Sequence, residues 1–384
     1  MQVAIAGAGI SGLAAAIALA KQDHTVTVHE QSVRLEPVGA GLQLGPNAVR
    51  ALEHLGVWAT LKDLCVAPAC IRICDAQTGH ELSVLKLGNA FTNRFGAPYR
   101  VAHRADLLQA LSTTANGCEN ISLEYGCHIT GLTDDESHQL KFSNGNISQA
   151  DLIIAADGIR SRLRNHIAPN ATLRPSGQTL YRAMAPAGSL PNGLDPEAVY
   201  LWLAPGAHVV HYLVSGGKRL NMVVAIDEQS DMAGWNSLAR LETILAALPR
   251  ITSILQDVLA TPASWLAWMG ADLEPFQGWS SKNAVLMGDA AHATLPYLAQ
   301  GAAMSLEDAV TLAECLKGND SIQSTLARFE ALRQPRTARI IEQSRKHGRM
   351  YHMNKPQTFA RNAIMKIMPA SWQLQRLDWI YSDT

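Results

Sequence analysis

The residues best placed to do chemistry lie at three points of the chain. Near the start, Val3–Gly12 reads V-A-I-A-G-A-G-I-S-G, with Gly7, Gly9 and Gly12 in G-x-G-x-x-G spacing. Between a strand and a helix, the first glycine permits a tight turn and the second lets a pyrophosphate approach the backbone. The third lets the helix pack close to the strand, so that its exposed N-terminal amides face the anion. Thr25–Glu30 alternates and ends in Glu30, 18 residues past Gly12, close to the spacing of an acid that binds a ribose hydroxyl. A glycine-rich turn that only packs a helix on a sheet is the plainer alternative. The second point is D-L-I-I-A-A-D-G at 151–158, an apolar strand that ends in Asp157-Gly158 before the basic run R-S-R-L-R, read as the start of a helix. Open α/β sheets bind ligands at such strand ends, although helix capping is the commoner use of an aspartate there. The third is G-D-A-A-H at 288–292, after a strand at Asn283–Met287. Beyond it Gly301 opens a helix to about Lys317, whose N-terminus would stabilise negative charge.

The rest of the chain must hold these points together. Gln2–Ala6 reads as a buried strand, and Ser11–Gln22 as a helix stopped by Asp23-His24. Val38–Gly56 breaks at two glycines, and Pro46-Asn47 then starts an amphipathic helix that ends at Gly56. Residues 69–85 read as strands leaving this unit, Arg104–Thr113 as a helix, and 119–154 as a meander turning at Asn144-Gly145. Residues 175–280 change character. Alternating runs at Val199–Leu203, His208–Val214 and Leu220–Ile226, with a Gly216-Gly217 hairpin turn, predict an antiparallel sheet. Tryptophans concentrate here, which predicts an aromatic face over a ligand, with Leu238–Leu248 and Ile251–Ala260 as covering helices. A long amphipathic helix at 321–353 should bend at Pro335. Its Arg336, Arg339, Arg345, Lys346 and Arg349 read as a solvated face, and 356–384 as a short helix and aromatic tail that packs or forms a dimer contact.

Composition narrows the function classes. The chain has 384 residues, 47% hydrophobic and 17% charged, with net charge -1, an ordinary balance for a soluble enzyme. Nothing points to nucleic acid or an acidic tail. Ile10–Ala20 imitates a signal segment, but no basic stretch precedes it and strands flank it. No run of about 18 apolar residues predicts a membrane span. The six cysteines form no C-x-x-C and suggest no metal site; they read as reduced core thiols of a cytoplasmic protein.

Taken in order, G-A-G-I-S-G at 7–12, D-G at 157–158 and G-D-A-A-H at 288–292 resemble the signatures of the FAD-dependent aromatic hydroxylases. These are the single-component flavoprotein monooxygenases of the para-hydroxybenzoate hydroxylase type. The resemblance spans essentially the whole chain. G-A-G-L-Q-L-G-P-N-A at 39–48, H-V-V-H-Y at 208–212 and L-P-Y-L-A-Q-G-A-A-M-S-L-E-D-A at 295–309 are similar to the salicylate and 3-hydroxybenzoate hydroxylase branch. The implied fold is α/β. A Rossmann-like FAD-binding domain (1–70, 98–174 and 281–320) carries an inserted antiparallel β-sheet substrate domain (71–97 and 175–280) and a C-terminal helical region (321–384). By the same resemblance Gly7, Gly9 and Gly12 hold the FAD pyrophosphate and Glu30 the adenine ribose. Arg104 reaches the phosphates or ribityl chain, and Asp157 and Gly158 serve FAD and the nicotinamide donor. Gly288 and Asp289 meet the ribityl hydroxyls, while Pro296, Gly301 and Ala302 shape the loop against the isoalloxazine. Many relatives have proline where this chain has Ala293, which implies a local change in that loop.

The implied reaction takes electrons from NADH or NADPH, forms a flavin hydroperoxide with O₂, and transfers oxygen to an activated aromatic ring. Phenol deprotonation supplies the activation, and its base must lie within hydrogen-bond reach of the hydroxyl. His211 is the first candidate and Tyr212 the second; strand alternation forbids both from entering one pocket without a bulge. His208, of the other parity, is the fallback, and a hydrogen-bonded core histidine is the alternative for His211. Gln300 and Tyr297 on the flavin-side loop could hold the substrate, Tyr181-Arg182 and Gln43 could contribute, and His292 reads as structural. The expected substrate is salicylate or 3-hydroxybenzoate. Other readings are an N-heteroaromatic such as a hydroxynicotinate or urate-like ring, a flavin oxidase or dehydrogenase, and a non-catalytic FAD-binding module. Monomer and homodimer stay open.

Overall fold

A computed structural model describes residues 1–34, 40–228, 237–318, 320–354 and 356–382; Val38-Gly39 and Trp235, which belong to stretches discussed above, lie outside the described residues. A parallel sheet runs in the spatial order Ala284–Leu286, Leu152–Ala155, Gln2–Ala6, Thr25–Glu30, Ile121–Tyr125, with Ser280–Ser281 antiparallel at one edge. Its central strands are continuous apolar runs, as a sheet covered on both faces requires. The first helix, Ile10–Ala20, is buried along its whole length because alanine and glycine let it sit close to the sheet and to the helix Gly301–Leu316. The strands Gln2–Ala6, Leu152–Ala155 and Ala284–Leu286 are parallel neighbours. Their carboxyl ends therefore bring Gly7, Asp157-Gly158 and Gly288-Asp289 to one edge. Three motifs more than a hundred residues apart in sequence become adjacent through strand order alone.

The second sheet has eight strands. Their order is Ser237–Ala239, Trp265–Leu273, Leu173–Pro186, Arg219–Asp227, Ala207–Val214, Ala198–Ala204, Cys70–Asp75, Glu81–Lys86. All pairs are antiparallel except Ala198–Ala204 with Cys70–Asp75. Gly216 and Gly217 make the expected hairpin turn. One face carries Tyr181, Trp202, Val209, Met222 and Trp265 into a core closed by the helices Leu241–Ala247 and Ser253–Leu259. The expected helix from Leu238 starts three residues late because Ser237–Ala239 pairs with Trp265–Ala267. The aromatic face also lies elsewhere than expected. Trp202 and Trp265 belong to this closed core and Trp279 to that of the parallel sheet, whereas Trp268 faces a cavity. A three-stranded meander (Ile129–Leu132, Leu140–Phe142, Ile147–Ser148) completes the β-structure with the pair Gly41–Leu44 and Arg100–His103.

This strand pair meets the eight-stranded sheet at Gly41. Its amide donates to Asn221 Oδ1 at 2.6 Å, and a Cβ there would fall 2.7 Å from the Tyr212 ring, so only glycine allows the contact. The long helix Ile322–Tyr351 contains Pro335 and is capped by Ser321. Two of its arginines are not a solvated face. Arg336 binds Glu307 at 2.7 and 2.8 Å and Arg345 binds Asp272. The helix thus ties the helix Gly301–Leu316 to the eight-stranded sheet. Arg339, its guanidinium 4.2 Å over the Trp379 ring, Lys346 and Arg349 are exposed. The tail folds as Gln357–Ile367, Ala370–Gln375 and Asp378–Tyr381, with Tyr381 packed edge-on against Phe91 and Phe95. The six cysteines are free thiols, and no helix among the described residues is long and apolar enough to cross a membrane.

Candidate active site

A cavity of about 320 Å³ runs from the glycine turn to the eight-stranded sheet, and a second of about 600 Å³ adjoins it. At the first end, Gly7 has φ +100°, and a Cβ on Gly12 would fall 1.9 Å from the Gly7 carbonyl oxygen. Gly9 has open space where its Cβ would be, and the helix it caps has no side-chain cap and no acid in its first turn. Free amides beside open space fit a pyrophosphate. Glu30 is fixed by the amides of Ala8 (2.8 Å) and Ser32 (2.9 Å), which leaves further lone pairs for a sugar hydroxyl. Asp157 Oδ2 accepts from the amides of Arg162 and Leu163 in the loop before the next helix, while Oδ1 is buried with no hydrogen-bond partner. The basic run after it is mostly loop, with only Arg164–Ile167 helical. Arg164 turns inward to the carbonyls of Ala290 and Ile159. An orphaned carboxylate oxygen and an open glycine cradle match the hydroxyl and phosphate groups of a dinucleotide.

Asp289 lies where the two cavities meet, together with Arg104, Arg182 and Pro296. It is accessible from the cavity but crowded by protein. Desolvation raises its carboxyl above the ordinary range, against the opposing pull of His292, Arg104, Arg164 and Arg182. The turn that carries it is pinned from beneath. Asp308 Oδ2 accepts from the Gly288 amide (3.0 Å) and pairs with His292 Nε2 (2.5 Å), and its Oδ1 accepts from Arg333 (2.7 Å). Burial opposes ionisation of Asp308, yet His292 and Arg333 outweigh it and hold the carboxyl down at about 2. His292 is structural, as expected. Gly301 and Ala302 line the first cavity beside Ser11 and Ser305.

At the sheet end the wall is made of His208, Val210 and Tyr212 from one strand, Val223 from its neighbour and Arg182 from the strand beyond that. This parity overturns His211 as the base. His211 points into the closed core on the other face, stacked on Tyr200 at 4.8 Å, and its Nε2 accepts from Trp202 Nε1 at 3.0 Å. Burial pushes it down to about 3. Tyr181 shares that face, and its hydroxyl donates to Glu228 at 2.5 Å. Gln300 is also displaced: Asn47 Nδ2 holds its Oε1 at 2.9 Å outside the cavity. Tyr297 turns away from the cavity and packs on Gly348, its hydroxyl donating to Gln178. In both cases the tight Pro296–Leu298 turn presents Pro296 and Ala299 to the cavity instead. Tyr212 does line it. Burial raises its phenol, with Gln43 and Arg182 opposing, and Gln43 also accepts from Tyr99.

Two features were missed or undervalued. Arg182 lies over Trp268 at 5.0 Å, and its Nε is buried without a hydrogen-bond partner. Desolvation lowers its guanidinium, with Tyr212 and Asp289 opposing. A cation in such a site calls for an anion. His208 Nδ1 lies 2.8 Å from His352 Nε2, and His352 Nδ1 lies 2.6 Å from Asp227 Oδ1. The parity signal could have found His208; His352, past the end of a long helix, carries none.

A dinucleotide clamp that opens onto a lined chamber with a buried guanidinium and a buried histidine fits a dinucleotide-dependent oxidoreductase. The sequence profile of the family described as FAD binding domain matches residues 1–344. The chain is 34% identical to 3-hydroxybenzoate 6-hydroxylase of Klebsiella oxytoca over 383 residues, covering 99% of this chain and 96% of that protein. It is 32% identical to 3-amino-4-hydroxybenzoate 2-monooxygenase of Streptomyces cremeus, covering 100% and 95%. The crystal structure of Klebsiella pneumoniae HpxO complexed with FAD and uric acid shares the fold, with TM-score 0.87, 23% identity and 98% and 95% of the two chains covered. The chain belongs to the FAD-dependent aromatic hydroxylases.

Proposed function

We propose that this enzyme hydroxylates a hydroxybenzoate of the salicylate or 3-hydroxybenzoate type, using O₂ and NADH or NADPH in the cytoplasm. The observation that carries this reading is Arg182, its Nε buried without a hydrogen-bond partner, beside His208 and Tyr212 at the end of a cavity that begins at a dinucleotide cradle. Relatives named for hydroxybenzoates, at 34% and 32% identity over nearly the whole chain, support it. Residues 1–70, 98–174 and 281–320 would hold FAD, 71–97 and 175–280 would cover the substrate, and 321–384 would brace both.

Bound FAD supplies the redox chemistry. Gly7, Gly9, Gly12, Glu30, Arg104, Asp157, Gly158, Gly288, Asp289, Pro296, Gly301 and Ala302 would hold it. The chain's own task is to place a ring and sharpen it. Arg182 pairs with the carboxylate, and burial strengthens that pairing. Val210 and Val223 give the ring an apolar seat and help exclude water. His208 accepts the phenolic proton, which raises electron density at ring carbons ortho and para to the oxygen. Tyr212, held by Gln43, hydrogen-bonds substrate oxygen rather than acting as base, because burial keeps its own proton on.

The test is a panel of hydroxybenzoates and pyridine carboxylic acids scored for stimulated NADH and NADPH oxidation, with products identified by mass. Salicylate or 3-hydroxybenzoate should stimulate oxidation and gain one oxygen. Hydrogen peroxide with no oxygenated product across the panel would sink the reading.

A further inference from the structure

His208 connects the cavity to the outside. His208 and His352 are buried, at 4% and 5% exposure, whereas the Asp227 side chain is 45% exposed. The three come from different elements: the strand Ala207–Val214, the end of the helix Ile322–Tyr351, and the last residue of the strand Arg219–Asp227. Their atoms settle where the protons sit. A carboxylate oxygen only accepts, so Nδ1 of His352 carries hydrogen. Neutral His352 then presents a bare Nε2, so Nδ1 of His208 must donate to it. That leaves Nε2 of His208 as a lone pair on a residue that lines the cavity. Gln178 Nε2 donates to Asp227 Oδ1 at 2.8 Å and fixes the far end.

We propose that His208, His352 and Asp227 form a relay that carries the phenolic proton of the bound substrate to the protein surface. The role of this phenol rests on the hydroxybenzoate reading above. The substrate O–H breaks and its proton goes to Nε2 of His208. The Nδ1 proton of His208 passes to Nε2 of His352, which becomes an imidazolium paired with the Asp227 carboxylate. The substrate keeps the electron pair as phenolate. His352 can then shed its Nδ1 proton through exposed Asp227 to water. The proton returns by the same path when the phenolic product is reprotonated for release.

The surroundings disfavour a lasting charge on His208. Burial and the adjacent His352 push His208 well below its ordinary value. At Asp227, burial raises the carboxyl but the His352 hydrogen bond and charge, with Gln178, outweigh it and keep it ionised. The other groups facing the pair are Tyr297 and Tyr351, whose rings lie 5.2 and 5.5 Å from His208. Burial raises both phenols, Tyr351 to about 12, so neither competes for the proton. Arg182 shares the cavity wall as a fixed cation.

The experiment uses holoenzyme labelled with ¹⁵N-histidine, in the wild type and in Asp227→Ala and His352→Phe. Two-bond proton–nitrogen correlations at neutral pH should show His208 and His352 both protonated at Nδ1, and Asp227→Ala should remove that preference at His352. A wild-type His208 protonated at Nε2 overturns the relay, whatever the substrate is. With a hydroxybenzoate the wild type turns over, both variants should lower kcat about tenfold or more at neutral pH with KM held. The loss should fade as pH rises towards the phenol's own ionisation near about 10. Equal losses at every pH would also overturn it. If the wild type hydroxylates no hydroxybenzoate, the substrate reading fails and the tautomers still decide the relay.

Discussion

At the glycine-turn end of the cavity, three strand termini from distant parts of the chain deliver glycines and carboxylates to one edge, and a ligand there would meet backbone. At the other end, strands of an antiparallel sheet turn alternate side chains inward, and parity decides what the ligand meets. A site made of backbone tolerates no added atom. A site made of side chains tolerates substitution but changes its chemistry. Gly12→Ala should show the first behaviour most severely. Its methyl would fall 1.9 Å from the Gly7 carbonyl oxygen, a contact that nothing flexible can relieve. The expected outcome is protein without bound flavin or without a stable fold, read from flavin absorbance and thermal unfolding. Gly9→Ala meets nothing within 4 Å and should fold normally with weakened FAD retention. Equal flavin content in the two variants would break the contrast.

The next largest effect separates two histidines three positions apart. His208→Gln should cut hydroxylation roughly a hundredfold, the usual scale of a lost general base, and spare flavin content. His211→Ala should leave hydroxylation near wild type but cost about 2 kcal/mol of stability, because it strips a stacking partner and orphans the Trp202 indole N–H. Rapid-mixing kinetics and denaturant unfolding give both numbers. Loss of hydroxylation in His211→Ala with an intact fold would restore His211 as the base.

This asymmetry explains what could be read in the sequence. Gly7, Gly9, Gly12 and Glu30 form a local pattern in which each residue answers a backbone demand within one βαβ unit. Alternation located the strands of the second sheet to within a residue or so at Val199–Leu203, His208–Val214 and Leu220–Ile226. Alternation says that His208 and His211 face opposite ways; it does not say which face is covered. That depends on Leu241–Ala247 and Ser253–Leu259 folding over one side and Gly41 docking on the other. The same long-range packing turned Tyr297 and Gln300 away from the cavity and brought in Arg182 and His352. The arginines of the long helix read as solvated because their partners, Glu307 and Asp272, lie far from them in sequence.

A smaller effect bears on Arg182. Arg182→Met keeps the contact with Trp268 but removes the charge. It should raise KM for a hydroxybenzoate about tenfold while leaving neutral phenols unaffected, since one charge-assisted pair is worth about 1.5–3 kcal/mol. Steady-state kinetics with matched acid and phenol substrates measures the difference. The same KM shift for both would mean that Arg182 serves FAD or the sheet instead.

The smallest effect is a shift in melting temperature, and acid should reach the two regions at different pH. In the sheet core, His211 is held down at about 3 against an ordinary 6.5. A folded value below the unfolded one means that the unfolded chain takes the proton first. Its contribution is therefore whole above pH 6.5 and drains away as pH falls towards 3. Beneath the glycine-turn end, Asp308 and Glu307 are held at about 2 against 3.8 and 4.5, because His292, Arg333 and Arg336 outweigh the burial that opposes ionisation. Their contribution is whole above about pH 4.5 and is lost as pH falls through about 2. The melting temperature should thus decline gently below pH 6.5 and steeply below pH 4.5. His211→Phe should flatten the first decline and leave the second, whereas Glu307→Gln should lower stability at neutral pH and soften the second. A first decline unchanged in His211→Phe would assign it to another buried group, with His208 the nearest candidate.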